Sequence, residues 1–477
     1  MQTRIQVLSE DEKAQVHERT LQVLAKVGMR CDTAEGRRIL AAAGADVDEA
    51  TRRVRFPDGL VDDLLAQATR SFTLHGRRPG WSFTAGAGDF TLLADGGATS
   101  AYDVAAGERR ATTPDDWRAA TRLLDALDDV GLYWCPTEYA ADYGHPAGFV
   151  RYFTDVFGTF GKHVQDSFGT PELAPWLKEL LDIVFGGAEQ VRDLKPLSFL
   201  ITPASPLTIE HDFTQTWLEL RDYGLPVAVM PMPLHGSTAP GSRLGTLLAA
   251  NCETVGTLWL VQAAAPGTPV LYSPVIATMD PRTGLYGAGA VEHAVLGVAG
   301  TEMARYYGLP AESSGLCTQT YEPDQQTAWE KANSALLVTL AGPDVLVGPG
   351  LLGGATVLCL EQIVLDVEVV RRARRAADGV PVRDGLWLDE ALDKVGPCGS
   401  FLAERSTRQG VRGGEWELSD FGVQGSWDAW RAAGAPSTVA AATERVHAIL
   451  AEQASLAYTE DQAAALAALQ RRADAAD

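Results

Sequence analysis

Residues 226–230, PVAVM, and residues 269–276, PVLYSPVI, are the stretches that decide the fold. Each run is apolar almost throughout, which is typical of a strand buried on both faces in a parallel sheet. A helical stretch of about residues 241–265 lies between them. Together they predict a strand–helix–strand unit whose two strands run parallel.

The same unit recurs through most of the chain. Eight alternations of strand and helix favour a closed (β/α)8 barrel of the TIM type, a fold of the α/β class, over an open sheet. The predicted strands are Val130–Pro136, Lys162–Phe168, Pro196–Ile201, Pro226–Met230, Pro269–Val275, Ala311–Leu316, Asp344–Val347 and a degenerate strand at Gly399–Leu402.

Additional regions flank the predicted barrel. Ser9 and Glu12 form a Ser-x-x-Glu helix start, and Gly28 closes the helix that follows. Between Ser71 and Glu108, short alternating runs broken by Gly and Asp predict antiparallel hairpins. We therefore expect three regions: residues 1–113 with helices and hairpins packed on the barrel, residues 114–402 with the catalytic barrel, and residues 403–477 as a helical extension against the barrel or a partner subunit.

The composition is that of an ordinary globular chain, since 46% of its 477 residues are apolar and 21% are charged. Lys plus Arg number 40 against 62 Asp plus Glu, and the net charge of −22 repels nucleic acid and anionic lipid surfaces. The same negative field attracts cationic ligands, although the first effect of a high net charge is on solubility. No apolar signal segment and no apolar run of about 18 residues is present, so we expect a cytoplasmic protein.

Several common catalytic motifs are missing. No G-x-G-x-x-G follows a strand to open a helix, and neither G-x-x-x-x-G-K-[ST] nor G-x-S-x-G occurs. The six cysteines include no C-x-x-C pair, which predicts neither a disulfide framework nor a metal site. Cys252 and Cys317 are expected to be small core residues, and His163 to satisfy a local hydrogen bond. The absence of these motifs suggests that the reactive group is supplied by another protein.

Aromatic residues fall at the C-terminal ends of the predicted strands, where the active site of a (β/α)8 barrel forms. Trp134 and Tyr139 follow the first predicted strand, and Tyr272 and Tyr286 lie around the mouth of the fifth. Ring faces attract a methylated ammonium, which has no N–H to donate, but the same rings can simply pack. If they bind a cation, Asp280 lies between the two tyrosines and is expected to neutralise its charge.

Polar side chains at the same strand ends complete the predicted site. The loop YWCPTEYAADYGHP, residues 133–146, is expected to select the substrate. The glycines of GPGLLGG, residues 348–354, serve either close approach to a ligand or tight barrel turns. The predicted catalytic residues are Asp280, Glu312 and Gln319, and the predicted substrate-binding residues are Trp134, Glu138, Tyr139, Gln165, His235, Tyr272 and Tyr286.

Six stretches of the chain resemble the trimethylamine methyltransferase family of corrinoid-dependent methyltransferases. Their order and spacing carry the resemblance, which extends almost end to end. They are LSEDEKAQVHERTLQVLAKVGMR (Leu8–Arg30), DGGATSAYDVAAGERRATTPDD (Asp95–Asp116), PMPLHGSTAPGSRLGTLLAANCET (Pro231–Thr254), GTPVLYSPVIATMDPRTGLYGAGAVEHA (Gly267–Ala294), the helix Gln326–Ala341 with Trp329, Glu330 and Lys331, and LCLEQIVLDVEVV (Leu358–Val370).

The resemblance implies a barrel that binds a methylated amine, and a small corrinoid protein that presents cobalt(I) as the nucleophile. Corrinoid contacts are then expected at Met232, Gly348, Gly350 and Leu351, with no metal bound by the chain itself. Founding members of the family contain pyrrolysine. This chain has only standard residues and so resembles the glycine betaine branch, which implies glycine betaine, proline betaine or carnitine as substrate.

Two other functions stay open at this stage. One is a catalytically silent binder of betaine-like solutes, and the other is a barrel lyase or transferase that uses free cobalamin. A quaternary ammonium already carries a neutral leaving amine, so the methyltransferase needs no strong acid. We also expect the chain to form a homo-oligomer.

Overall fold

The N-terminal region combines helices with small sheets that pack on the rest of the chain. The computed structural model describes residues 4–57, 59–138, 144–452 and 456–477. The predicted capping box is confirmed, because the Ser9 side chain accepts the N–H of Glu12 and the Glu12 carboxylate accepts the N–H of Ser9 at 2.7 Å. The elements are α1 (Glu10–Lys26), β1 (Met29–Cys31), α2 (Ala34–Ala42), β2 (Asp46–Asp48), β3 (Arg53–Arg55), α3 (Leu60–Leu65), β4 (Phe72–His75) and β5 (Ser82–Ala85).

The central part of the chain alternates strands and helices. In chain order its elements are β6 (Thr91–Leu93), β7 (Ser100–Asp103), β8 (Glu108–Ala111), α4 (Pro114–Ala126), β9 (Val130–Tyr133), α5 (Pro146–Thr159), β10 (His163–Asp166), α6 (Ala174–Phe185), α7 (Ala188–Leu194), β11 (Leu197–Ile201), β12 (Thr208–Ile209), α8 (Asp212–Leu220), β13 (Val227–Val229), β14 (Leu234–His235), α9 (Arg243–Ala264), β15 (Val270–Tyr272), β16 (Ala277–Thr278), α10 (Val291–Tyr306), β17 (Glu312–Ser314), α11 (Gln325–Ala341), β18 (Val345–Val347), β19 (Leu351–Leu352), β20 (Val357–Leu358) and α12 (Leu360–Asp378).

Eight parallel strands of the described chain form one barrel. Their hydrogen-bonded order is β15, β13, β11, β10, β9, β6, β18 and β17. A parallel bridge between Tyr272 on β15 and Ala311 beside β17 closes the ring. Each strand is followed by a helix that returns the chain to the other end. The predicted (β/α)8 barrel is therefore confirmed.

One predicted barrel strand is wrong. Residues 399–402 form no strand and are exposed, whereas β6 (Thr91–Leu93) occupies the place between β18 and β9. β6 lies within residues 1–113, among the predicted hairpins, so the barrel begins before residue 114. A strand as short as these three residues has no sequence pattern that distinguishes parallel from antiparallel neighbours, which explains the error. The other boundaries between the three regions stay predictions.

A hairpin closes the end of the barrel where its strands begin. β4 and β5 pair antiparallel, as predicted, and their apolar side chains join the cluster inside the barrel. The N–H of Gly86, just after β5, donates to Asp344 at the start of β18 at 2.7 Å. Residues of the cluster are Phe72, Leu74, Phe83, Ala85, Leu93, Leu132, Leu200, Ala228, Met230, Leu271, Val345 and Val347. The barrel is thus open at its C-terminal end alone.

Helix α9 is long and apolar enough to cross a membrane by length and composition. In its most apolar window, 78% of the residues are buried inside the chain. It packs against α1, α2 and α3 on one side and the barrel on the other. This is the pattern of a core helix in a layered domain.

The C-terminal region is helical, as predicted, but it packs unevenly. α16 lies against α12 and α4, and α17 lies against α5 and α6. By contrast, α13, α14 and α15 contain no buried residue. The helices are α13 (Asp389–Val395), α14 (Arg405–Arg412), α15 (Trp427–Ala432), α16 (Thr438–Ala451) and α17 (Glu460–Asp474).

Candidate active site

A buried polar network crosses the barrel below its open end. Both carboxylate oxygens of Glu312 on β17 accept hydrogen bonds from the amide Nε2 of Gln165 on β10, at 3.0 and 2.9 Å. The Ser273 hydroxyl donates to the same carboxylate. On the far side, the Ser198 hydroxyl donates to Gln165 Oε1 at 3.0 Å, and His163 Nε2 lies 2.9 Å from that hydroxyl. Two predicted site residues, Gln165 and Glu312, are therefore in direct contact.

Burial controls the protonation of this network. It raises the pKa of Glu312 to about 7, against the opposing effect of the hydrogen bonds from Ser273 and Gln165. Burial also lowers the pKa of His163 to about 3, so the imidazole is neutral. His163 forms the local hydrogen bond that the sequence predicted. The network forms a floor beneath the mouth of the barrel, and its carboxyl group is only partly ionised at neutral pH.

Above this floor, four side chains gather at the mouth. Asp95 follows β6, Tyr286 and His293 lie in and after the β15–α10 loop, and Cys317 follows β17. The Cys317 thiol lies 3.0 Å from Ser314 Oγ, two residues above Glu312 on the same strand face. The rings of Tyr286 and His293 meet edge to face at 5.9 Å between centroids. We call Asp95, Tyr286, His293 and Cys317 the mouth cluster.

His293 and Cys317 are neighbouring titratable groups whose charges favour each other. The His293 Nδ1 lies 3.1 Å from the Ala288 carbonyl, which assigns its proton to that nitrogen. Its Nε2 has no hydrogen-bond partner of ordinary geometry within the described chain, and the Cys317 thiol stands beside it. Although burial disfavours both charges, the pairing lowers the pKa of Cys317 and raises that of His293. Both shifts run in the direction that favours a thiolate next to an imidazolium.

Asp95 adds a second acidic group to the mouth cluster. Burial raises its pKa to about 6, so at neutral pH most of the carboxylate is ionised. The indole of Trp134 lies so close to Gly96 that an added Cβ would meet its atoms at 2.6 to 2.9 Å. This close approach places the Trp134 ring next to the backbone that directly follows Asp95. Trp134 thus lies against the residue that follows Asp95, and Asp95 is close enough to Tyr286 for its negative charge to raise the pKa of the phenol.

An outer cavity of about 670 Å³ adjoins the mouth cluster on the side of the β13, β15 and β17 loops. Three carboxylates and one guanidinium line it, so it favours a cation. It contains three predicted site residues, Asp280, His235 and Gln319. The lining residues are His235, Gly236, Gly241, Thr278, Met279, Asp280, Pro281, Arg282, Gly287, Gly289, Ala290, Glu292, Gln319, Gln326 and Glu330.

Tyr272 and Asp280 do not lie where the predicted cation site requires them. Tyr272 is fully buried on the outer face of β15 and donates its hydroxyl hydrogen to Asn251 on α9 at 2.7 Å. Asp280 lies in the outer cavity, where Arg282 donates to it at 2.6 and 3.1 Å and lowers its pKa to about 2. The expected grouping of Tyr272, Tyr286 and Asp280 is therefore wrong, because β15 turns Tyr272 away from the barrel mouth.

Gln319 and His235 hold loops in place. Gln319 Oε1 accepts the N–H of Ala288 at 3.0 Å, and its own N–H donates to Glu330 at 2.8 Å. Gln319 thus ties the loop that carries Tyr286 to the loop after β17. His235 Nδ1 lies 3.4 Å from Thr278 Oγ1, between β14 and β16.

The loop after β9 is described in part. Glu138 is exposed, and its N–H donates to the Ala98 carbonyl at 3.2 Å. Tyr139, a predicted substrate-binding residue, lies outside the described residues. The selection of substrate by this loop stays a prediction.

The loop after β18 is packed inside the chain, which alters the expected corrinoid contacts. Gly348, Gly350 and Leu351 are buried, and the Gly350 N–H donates to Asp366 at 2.8 Å. Asp366 is also paired with Lys331 at 2.7 Å. Gly350 has φ of +100°, and an added Cβ would lie 2.5 Å from Ile363, so this glycine makes a tight turn. Of the four expected contacts, Met232, at 43% exposure, is on the surface.

Three residues of the mouth cluster were not identified from the sequence. Asp95 follows a strand that was taken for part of a hairpin, although the run TLLAD before two glycines has the form of a barrel strand end. Cys317 was expected to be a core residue, but it is half-buried and borders the mouth. His293 comes from the first turn of α10, and nothing in the sequence signals its approach to Cys317. Tyr286 alone was predicted.

Comparisons with known proteins bear on this site. The model of the trimethylamine methyltransferase (MTTB) family matches residues 1–476. A trimethylamine methyltransferase of Desulfitobacterium hafniense, MttB, is 30% identical over 447 residues, which cover 93% of this chain and 88% of that one. MttB1 of Methanosarcina mazei is 29% identical, with coverage of 94% and 91%. A glycine betaine methyltransferase of D. hafniense is 27% identical, with coverage of 89% and 88%.

Solved structures agree on the fold. The monomethylamine methyltransferase MtmB of Methanosarcina barkeri superposes with a TM-score of 0.54, covering 99% of this chain and 88% of that one, at 10% identity. At this identity, the likeness concerns the barrel and its additions alone. Because the family model covers nearly the whole length and the relatives align end to end, the chain belongs to the trimethylamine methyltransferase family.

Proposed function

We propose that this chain transfers a methyl group from a small quaternary amine, such as glycine betaine, proline betaine or carnitine, to the cobalt of a corrinoid protein. The observation that carries the proposal is the Asp95 carboxylate at the barrel mouth, with Trp134 packed against the adjoining Gly96 and with Tyr286 within range of its charge. The names of the relatives, which include a glycine betaine methyltransferase, support a methylated amine as the substrate class.

The mouth cluster suits a trimethylammonium head. Such a head carries one positive charge and has no N–H to donate, so ring faces and nearby anions hold it. Trp134 and Tyr286 supply the rings, while Asp95 supplies the negative charge. A desolvated cation–π contact contributes about 2 kcal/mol. Farther out, the cavity lined by three carboxylates and Arg282 has room for the rest of the amine.

The chemical demands on the chain are then small. The substrate loses its methyl group as a neutral amine leaves, so no protein acid has to protonate it. The protein has to orient one N–CH3 bond toward the open end of the barrel and keep water away from it. The hydrogen-bonded floor of Glu312 and Gln165 closes the site from below. When a corrinoid is bound, its cobalt(I) supplies the nucleophile.

The rim around the mouth fits a large, flat macrocycle. Met232, Leu285, Val291 and Trp329 are 43%, 59%, 56% and 62% exposed. They lie in the loops after β13 and β15 and in the first turns of α10 and α11, which stand at the C-terminal ends of the strands. We propose that these four side chains, and not Gly348, Gly350 or Leu351, contact the corrinoid.

Methyl transfer to cob(I)alamin, followed by its absorbance change, tests the proposal. We expect turnover with glycine betaine, proline betaine or carnitine, increased by a corrinoid protein from the same source. Asp95→Asn should raise the KM at least tenfold, whereas Asp63→Asn, which removes an exposed charge on α3, should leave it unchanged. Binding of glycine betaine without methyl transfer to either acceptor would instead identify a silent solute binder. Turnover of trimethylamine alone would contradict the choice of substrate.

A further inference from the structure

The segment that follows α12 is folded without a core of its own. No residue from 378 to 441 is buried, although α13, α14 and α15 lie within it. Thirteen of the 22 large apolar side chains that are exposed in the described chain fall between residues 380 and 427. Among them, Leu402 is 87% exposed and Trp427 is 68% exposed. Monomeric proteins rarely expose so large an apolar surface, because its burial is what stabilises such helices.

Most of this surface, residues 380–416, lies away from the barrel mouth, whereas residues 419–422 return beside the first turns of α11 and α12. α12 begins beside β20 at the open end, and its last turn reaches the closed end. There, Arg374, Ala377 and Asp378 border a cavity together with Ser82 and Phe83 of the closing hairpin. Residues 380–416 continue from that point. A protein that delivers a methyl acceptor to the mouth would not cover them, so the surface needs another partner.

The surface also contains a cavity of about 770 Å³. Its walls include Leu386, Trp387, Leu392, Phe401 and Trp416. A cavity of this size and apolar character accepts protruding apolar side chains from a packed subunit. The neighbouring Val380, Val382, Leu402 and Leu418, each more than 70% exposed, protrude from the same segment. One segment therefore carries both the pocket and the side chains that would fill it.

Charge within the segment is divided between two helices. α13 carries Asp389, Glu390 and Asp393, and α14 carries Arg405, Arg408 and Arg412. All six are exposed, and none has an ion-pair partner within the described part of the chain. Lys394 on α13 is paired at 2.8 Å with Glu404, the residue directly before α14. In a two-fold interface every contact occurs twice, once from each subunit. The acidic helix of each subunit can therefore pair with the basic helix of the other.

We propose that residues 380–427 form a two-fold interface with a second copy of this chain, in which α13 of each subunit faces α14 of its partner. The complementary charges identify the partner as a second copy, since the whole chain, at −22, would otherwise repel itself. A stable interface buries about 800 Å² on each side, which thirteen large side chains can supply. The inference does not depend on the proposed methyl transfer.

Charge reversal tests the facing helices. We would measure the mass of the full chain by light scattering and sedimentation, and expect a dimer or a multiple of it. The acidic-helix variant D389K/E390K/D393K and the basic-helix variant R405E/R408E/R412E should each dissociate, with a dissociation constant raised at least about hundredfold by like-charge contact. A control, D11K/E18K on α1, changes exposed charges elsewhere and should stay a dimer.

Complementation distinguishes a second copy from any other partner. Mixing the two dissociated variants, or combining both reversals in one chain, restores opposite charges across the interface and should restore the dimer. A failure of both would overturn the facing of α13 and α14. Leu402→Asp should also dissociate the dimer without lowering the monomer's helix content by circular dichroism. A wild-type chain that stays monomeric at tens of micromolar, or dimers that survive all these changes, would overturn the proposal.

Discussion

The side-chain amide of Gln165 donates to both carboxylate oxygens of Glu312, across the interior of the barrel from β10 to β17. Both residues were predicted to belong to the site, Glu312 as a catalytic residue. Their mutual contact, with Ser273 as a third member, leaves the carboxylate enclosed below the mouth cluster. Its measurable effect is on stability, which the first prediction addresses.

Glu312 makes stability depend on pH. Its folded pKa is raised to about 7 from an ordinary value of 4.5, so the unfolded chain loses this proton first as pH rises. The stabilising contribution is present below about pH 4.5 and is lost on passing pH 7, on the order of 3 kcal/mol in all. Glu312→Gln, which keeps the shape and the neutral hydrogen bonds, should remove that loss. Melting temperatures between pH 5 and 8 should fall less for the variant than for wild type, and parallel curves would contradict this role.

Cys317 should react as a thiolate at a lower pH than an ordinary thiol. His293 lowers the pKa of Cys317 despite burial, so alkylation by iodoacetamide should already be fast at a pH where glutathione is mostly protonated. Peptide mass spectrometry locates the modified residue. His293→Gln should move the pH profile of Cys317 upward, and saturating glycine betaine should slow the reaction. An unchanged profile in His293→Gln would show that His293 does not lower the pKa of Cys317.

Asp95 should make amine binding depend on pH. Burial raises its pKa to about 6, so the carboxylate is charged above that pH and neutral below it. The affinity for glycine betaine should fall as pH drops through 6, by up to about tenfold for each pH unit, because binding requires the ionised form. Calorimetry between pH 5 and 8 measures this. Asp95→Asn should bind weakly at every pH; a variant that keeps the wild-type pH profile would assign the titration to another group.

The two tyrosines of the predicted cation site should respond differently to substitution. Tyr286→Leu removes a ring face at the mouth and should weaken glycine betaine binding about thirtyfold, the equivalent of about 2 kcal/mol, with little change in melting temperature. Tyr272→Leu is the matched control. It removes a buried hydroxyl bonded to Asn251 and should lower stability while leaving binding unchanged. Equal binding by wild type and Tyr286→Leu would mean that Tyr286 only packs.

Lys331 and Asp366 should behave as a structural pair. Both are almost fully buried, and Asp366 also accepts the N–H of Gly350 in the loop after β18. Lys331→Met leaves an unpaired buried carboxylate and should destabilise the chain by about 3–5 kcal/mol. The double variant Lys331→Met with Asp366→Leu should recover part of that loss. Thermal denaturation of the three proteins checks the order, and a single variant as stable as wild type would contradict it.

The barrel could be predicted because its strands and helices repeat, whereas the faces of the strands could not. Strands buried on both sides are apolar throughout, so no alternation shows which side chains point inward. Tyr272 was therefore placed at the mouth, although it points outward to α9. Glu312 and Gln165 were identified because they are polar side chains in the predicted strands near the end where the active site of such a barrel forms.

The rest of the site depends on distances that the sequence does not contain. Asp95 was missed because its strand, β6, has three residues and is followed by a hairpin rather than directly by a helix. His293 and Cys317 lie on different βα units, and their contact follows from the closure of the barrel. Gly350 was taken for a ligand contact because a glycine that makes a turn and one that admits a ligand look alike in sequence.

The hairpin of β4 and β5 that closes the lower end of the barrel has a kinetic consequence. Because the barrel is open at one end alone, the amine enters and its demethylated product leaves through the same opening. The methyl acceptor has to cover that opening as well. Under the proposed function, turnover is therefore ordered: amine first, acceptor protein second, and product release after the acceptor departs. A large excess of acceptor protein should then slow the reaction by capping an empty barrel, and more amine should relieve that inhibition.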